Sequence, residues 1–137
     1  MSLALPPSSG PQRGPCPCGS GRPFAACCGP IIARTAPAPT AEALMRSRYT
    51  AFSRRNVDHL QWSWHSTTRP PEVELNPTTT WTGLVIARTV HGGPGDDSGI
   101  VEFEAAYQDL GGPGTLREVS RFVKEDGRWV YLGGVHG

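Results

Sequence analysis

The chain is almost without lysine: twelve of its thirteen basic residues are arginine, and Lys124 is the exception. That usage fits either a GC-rich genome or a front end that meets an acidic partner. Long apolar runs are also missing. The uncharged, mainly apolar stretches stop well short of the roughly 18 residues a spanning helix needs, so no membrane partner is expected. The opening MSLALPPSSG has neither a basic start nor an apolar core, which argues against a secretory leader, and a cytoplasmic protein is expected. Cysteine is absent after residue 28, and no internal repeat is visible. The Gly-rich run HGGPGDDSG (91–99) has no following Lys-Ser/Thr, which excludes a phosphate loop, and no serine sits in a nucleophile elbow. No histidine pairs with another His or Cys at a ligand spacing, so a second metal site is not expected.

What is present begins with 137 residues, about the size of one domain. The 17 glycines and 14 prolines are a heavy load that predicts long loops or a loose tail. The net charge of +1 conceals an asymmetry. Before residue 56, seven arginines (13, 22, 34, 46, 48, 54 and 55) face one carboxylate, Glu42, whereas the rest carries six basic and eleven acidic side chains. A basic front end of this kind suits RNA or a ribosomal surface.

All four cysteines fall in Cys16-Pro-Cys18-Gly-Ser-Gly-Arg-Pro-Phe-Ala-Ala-Cys27-Cys28. Adjacent Cys27 and Cys28 are poorly placed to bond to each other, and two bridges in so short a loop would be cramped. Reduced cytosolic thiols are the better context. Four thiolates in two close pairs suit a closed tetrahedral site, so one structural zinc ion is expected on Cys16, Cys18, Cys27 and Cys28, with no open position for catalysis. Gly19 and Gly21 supply the freedom to wrap the chain around an ion. Phe24 can cover the site, and Arg22 can offset its charge.

The run from Cys16 through CPCGSGRPFAACCGP closely resembles the SEC-C motif, the small zinc knuckle at the C-terminus of the SecA translocation ATPase. There the knuckle contacts the SecB chaperone and the ribosome. The resemblance implies an interaction element, whereas the spacing speaks only to a metal.

The chain divides into a disordered tail over 1–12, the knuckle over 13–31, a stiff Pro-containing linker over 32–39 and a main domain over 40–137. Ile31 and Ile32 can staple knuckle to domain. Thr40 caps a helix with Glu42 in its first turn, and Met45, Tyr49 and Phe52 form an apolar stripe. A second helix, within NVDHLQWSWH (56–65) and started by Asn56 or Asp58, carries Val57, Leu60 and Trp64 on one face and ends before Pro70. Strands follow at 81–90, 99–108, 115–124 and 128–132, the last two joined by an Asp126-Gly127 turn. Helix, helix and four antiparallel strands give an α+β domain with helices packed on one face of a curved sheet.

The segments ALMRSRYTAF (43–52), WHSTTRP (64–70) and LREVSRFVKEDGRWVY (116–131) resemble the bacterial YchJ-type family. That resemblance implies a SEC-C knuckle joined to a nuclear transport factor 2-like (cystatin-like) cone. Arg117 stands where a histidine is expected in the family pattern. The second, C-terminal knuckle of some members is not seen, which leaves a single zinc per chain.

On strand 115–124, Leu116, Glu118, Ser120 and Phe122 share one face. If Leu116 and Phe122 face the core, Glu118 turns inward and needs a partner, for which Arg48, Tyr49 and Arg69 are candidates. Bracing helix against sheet is one role for such a pair, and a pocket carboxylate is the other. His65, beside Trp64, either caps its helix or acts as a general base with Tyr49 as donor. The four tryptophans are expected as packing residues, with at most one lining a ligand site, and His59 and His91 are expected exposed. Pocket candidates are therefore Tyr49, Trp64, His65, Arg69, Glu118 and Ser120.

Three functions remain open: a zinc-stabilised module docking on a protein or ribosomal partner, a small-molecule pocket with binding or proton-transfer chemistry, and RNA binding through Arg13, Arg22, Arg34, Arg46 and Arg54. The first carries the most support, so an enzyme is the less favoured reading. Zinc loss is expected to unfold the knuckle alone, because residues 40–137 have apolar pattern enough to fold.

Overall fold

The structure, a computed structural model, describes residues 14–135. The tail over 1–12, Arg13 and His136 lie outside the described residues. Three α-helices, α1 (Cys28–Ile32), α2 (Ala41–Ser53) and α3 (Val57–Trp62), precede four strands, β1 (Thr80–His91), β2 (Ser98–Asp109), β3 (Gly112–Glu125) and β4 (Arg128–Gly134). The strands form one antiparallel meander in the order β1-β2-β3-β4. The α+β class and all four expected strands are present, each strand a little longer than its alternation marks.

Local chemistry sets the helix starts. Thr40 Oγ1 accepts from the Ala43 amide at 3.0 Å, and Asn56 Oδ1 accepts from the His59 amide at 3.0 Å. The second helix stops at Trp62 instead of running to His65. Ser63 Oγ turns back to the His59 carbonyl (2.7 Å), and the chain then joins the sheet edge. There the His65 amide donates to the Tyr131 carbonyl (2.8 Å), and the Tyr131 amide to that of Ser63 (2.8 Å). The indole of Trp64 meets Tyr131 edge-on at 5.2 Å, so ring packing competes successfully with one more helical turn. The end of the expected knuckle and the first linker residue, Ile32, form α1, and Ile31 is buried.

Helix α2 is not simply amphipathic. The stripe of Met45 and Tyr49 faces the sheet, but Ser47, Arg48, Thr50 and Ala51 are buried as well. The knuckle covers one side of the helix and α3 another. Ser47 shows how a polar side chain survives there: Oγ donates to the Leu44 carbonyl (2.7 Å) and pairs with His59 Nε2 (2.9 Å). His59 is consequently buried at 1% exposure, not solvent-facing as its polar sequence neighbours suggest.

Register shifts at Trp81/Gly83 and Ile86/Arg88 bend β1, which curves the sheet around α2. Asp126 and Gly127, at φ 54° and 81°, make the β3–β4 turn as expected. At the other end, Gly99 packs against Gly92, where an added Cβ would lie 2.5 Å from Gly92 Cα. Both contacting atoms are backbone, so Gly99→Ala is expected to lower the urea midpoint by the equivalent of about 2 kcal/mol. An unchanged midpoint would contradict this close approach.

Burial, reinforced by the positive charges of Arg48 and Arg34, lowers the His59 pKa from its ordinary 6.5 to about 4. The fold therefore excludes a proton that the unfolded chain binds between these values. Stability is fully present above pH 6.5 and is lost as pH falls towards 4, by about 3 kcal/mol. Replacing His59 by Gln should flatten the slope of unfolding free energy against pH in that window, and a slope equal to wild type would show that the ring titrates normally.

Candidate functional site

Two centres stand out, one of sulfur and one of mixed aromatic and charged side chains. In the first, the Sγ atoms of Cys16, Cys18, Cys27 and Cys28 all lie within 4.8 Å of one another, and all four residues are buried. Gly19 and Gly21 adopt positive φ (79° and 87°), which lets the loop turn back so tightly. No disulfide joins the four cysteines, with Cys18–Cys27 Sγ atoms at 3.6 Å and Cys27–Cys28 at 4.0 Å. A tetrahedron with metal–sulfur bonds near 2.3 Å has edges of about 3.8 Å, so the four sulfurs fit one metal ion. Hydrogen bonds with Cys18 and Cys28 pull the Cys16 thiol down to about 3, whereas those with Cys16 and Cys18, followed by burial, push Cys28 up.

The surrounding groups hold those sulfurs in place. Thr50 Oγ1 donates to Cys28 Sγ (3.4 Å) and lies 3.8 Å from Cys16 Sγ, and Ser20 Oγ is 3.1 Å from Cys27 Sγ. Arg46, not the expected Arg22, is the cation at the cluster: Nη1 donates to the Cys18 carbonyl (2.8 Å) and stands 3.9 Å from its sulfur. Arg22 is exposed. Phe24 is buried as expected, and the Arg54 guanidinium lies 3.9 Å from its ring centre.

The second centre is a cavity of about 160 Å³ between α2 and the sheet. Tyr49, Trp64, Glu118 and Ser120 line it, as the sequence pattern suggests, together with Arg48, Trp81 and Tyr131. Two tryptophans thus face it instead of at most one. Ser120 Oγ (2.5 Å) and the Tyr131 hydroxyl (3.0 Å) both donate to Glu118 Oε2. These two donors stand where Arg48, Tyr49 or Arg69 was expected. Tyr131 reached this role because β4 pairs Tyr131 with Phe122 across the sheet, a register no local pattern reveals.

Arg48 is 3% exposed. Its Nη1 donates to the Leu60 carbonyl (2.9 Å) and Ser63 Oγ (2.7 Å), and its guanidinium lies 4.9 Å from the Trp64 ring and 4.4 Å from Tyr131. Burial lowers its pKa to about 10, with the charges of Tyr131 and Glu118 opposing, so it stays cationic at neutral pH. Burial and the neighbouring Glu118 raise Tyr131 to about 12, which keeps it a neutral donor.

His65 and Arg69 are not brought to this cavity. The His65 ring closes its own turn, accepting from the Thr67 amide at Nδ1 (3.1 Å), with Nε2 3.7 Å from Glu125. Arg69 is exposed, beside Trp62 and Pro70 on an open face. Both follow from the early end of α3, which turns residues 65–69 away. Arg117 pairs with Glu104 on the outer face of the sheet, so its departure from the family pattern does not touch the cavity. Of the arginines considered for RNA, Arg34 pairs with Asp58 (2.8 Å) and Arg46 with Glu42 (2.9 Å). Among the described residues no helix is long and apolar enough to cross a membrane.

A helix-covered, curved antiparallel sheet with a cysteine knuckle packed on the central helix defines a nuclear transport factor 2-like protein carrying a SEC-C motif. Residues 15–30 match the SEC-C motif, and residues 40–134 match the YchJ middle NTF2-like domain. The chain belongs to the YchJ family, also designated UPF0225. It is 47% identical over 133 residues to a UPF0225 protein of Deinococcus radiodurans, covering 96% of this chain and 97% of that one. A Streptomyces avermitilis relative is 46% identical over 128 residues, covering 93% and 89%. The solution structure of a SEC-C motif containing protein from Rhodopseudomonas palustris matches with TM-score 0.78 and 30% identity over 90% of this chain and 99% of that one. A Psychrobacter arcticus SEC-C motif containing protein shares the fold, with TM-score 0.75 at 21% identity over 93% and 86% of the two chains.

The knuckle cysteines and the domain residues Leu44, Met45, Tyr49 and Leu84 belong to one continuous core. Metal removal should therefore lower the melting temperature of the whole domain, by more than about 10 °C, in a single transition followed by tryptophan fluorescence. A chelated sample whose sheet melts at the untreated temperature would return the knuckle to the status of an independent unit.

Proposed function

We propose that the knuckle holds one zinc ion as a structural centre and presents the turn over residues 19–26 as a docking surface for the ribosome or a ribosome-associated protein. The observation that carries this reading is a contrast in burial. Cys16, Cys18, Cys27 and Cys28 are between 0% and 8% exposed, while Arg22, Pro23, Ala25 and Ala26 stand out in solvent. Four soft thiolates in a tetrahedron suit zinc and leave no position for substrate, so the metal shapes a surface and does no chemistry of its own. The outward residues contribute little to the core, and a small apolar patch beside an arginine is suited to contact with another macromolecule. The likeness of this segment to the SecA knuckle supports the same use.

Native mass spectrometry should find the chain plus one zinc. In co-sedimentation with bacterial ribosomes, the wild-type protein should pellet, and Arg22→Glu combined with Ala26→Glu should keep its zinc yet remain in the supernatant. A wild-type protein that never pellets would remove the reading. Binding that survives the double substitution but is lost between about 50 and about 200 mM salt would assign the contact to RNA through other arginines.

A further inference from the structure

The cavity between α2 and β3 is a separate space from the cysteine cluster, and no cysteine lines it. Its volume of about 160 Å³ is close to the ~150 Å³ of an engineered apolar cavity that accepts benzene. Leu116 lines it and is 43% exposed, which marks the side from which a ligand enters. Aromatic rings dominate the walls: Trp81 meets Tyr49 edge-on at 6.4 Å and Phe52 at 6.3 Å.

The polar groups restrict what such a ligand carries. Arg48 is a permanent buried cation and Glu118 an acceptor on the opposite wall, so the lining is electrically balanced. A charged guest would leave one charge uncompensated among apolar groups. Cations face a second obstacle. The ring faces of Trp64 and Tyr131, which would otherwise attract one, already hold the Arg48 guanidinium at 4.9 and 4.4 Å. Ser120 and Tyr131 both donate to Glu118 Oε2, and Oε1 takes no hydrogen bond from the described residues. A carboxylate held by one oxygen offers the other to a donor.

We propose that this cavity binds a small uncharged molecule with a body the size of one aromatic ring and a hydroxyl or amide N–H that it donates to Glu118.

Phenol, toluene, benzoate and benzylammonium serve as probes in ligand-observed NMR with the full-length, metal-loaded protein. Phenol should bind with a dissociation constant on the order of 1 mM, as expected for so small a ligand. Benzoate and benzylammonium should bind at least about tenfold more weakly, the cost of a desolvated charge without a partner. Glu118→Gln removes the negative charge that faces Arg48 across the cavity, so it should weaken phenol about tenfold and reverse the preference in favour of benzoate, with toluene unchanged. Leu116→Trp, at an exposed position that need not disturb folding, should close the entrance to all four probes. No phenol binding at about 10 mM, well above the expected constant, would overturn the proposal. So would benzylammonium outcompeting phenol, or a Glu118→Gln protein that keeps its melting temperature and its wild-type preference. Should Glu118→Gln fail to fold, the wild-type selectivity and the Leu116→Trp block decide the matter.

Discussion

Helix α2 has neighbours on nearly every side, and the rest of the structure follows from how each side is satisfied. Thr50 meets two of the knuckle sulfurs, Ser47 meets His59 of α3, and Met45 and Tyr49 meet the sheet. A helix enclosed in this way cannot rely on water to solvate its polar side chains, so each buried hydroxyl must find a partner. The knuckle is one of the walls of that enclosure. Its sulfur cluster and the core of the sheet domain pack as one continuous core, although they read as two segments of sequence.

Arg48 is the most demanding tenant of this arrangement. Its charge is satisfied by a carbonyl, a hydroxyl and two aromatic faces, without a direct carboxylate pair. Removing a partner from such a group costs more than making the group gains, because the charge remains buried. The same network ties α2 to the point where α3 ends and to β4. The floor of the aromatic cavity is therefore also a structural joint. A cavity can persist there because the polar framework is rigid and the aromatic side chains cannot collapse into the space without breaking it.

The elements were largely legible in the residues. Thr40 announced one helix start and Asn56 or Asp58 the next, of which the structure uses Asn56; alternation from Val101 to Tyr107 announced a strand, and Asp126-Gly127 announced a hairpin. The cysteine spacing announced a four-sulfur cluster, and the inward phase of Glu118 and Ser120 followed from the two-residue repeat of a strand. Less legible were Arg46 as the cation at the sulfurs, Tyr131 as the donor to Glu118, and the burial of His59. Each depends on an approach between residues 12 to 28 positions apart in the chain. The exit of His65 and Arg69 from the cavity depended on a single competition, in which pairing of Trp64 with Tyr131 outweighed another turn of α3.

The sequence by itself determined the local conformations, because caps, turns and strand periods act through neighbours a few residues apart. It also determined which residues form the sulfur cluster, since four thiols within thirteen positions leave little choice of partner. Only the tertiary structure decided that the knuckle joins the main core, that Arg48 lies buried between two rings, and that Ser120 and Tyr131 meet on one oxygen of Glu118. Those outcomes arise from long-range packing, in which burial fixes whether a charge is exposed, compensated or put to use.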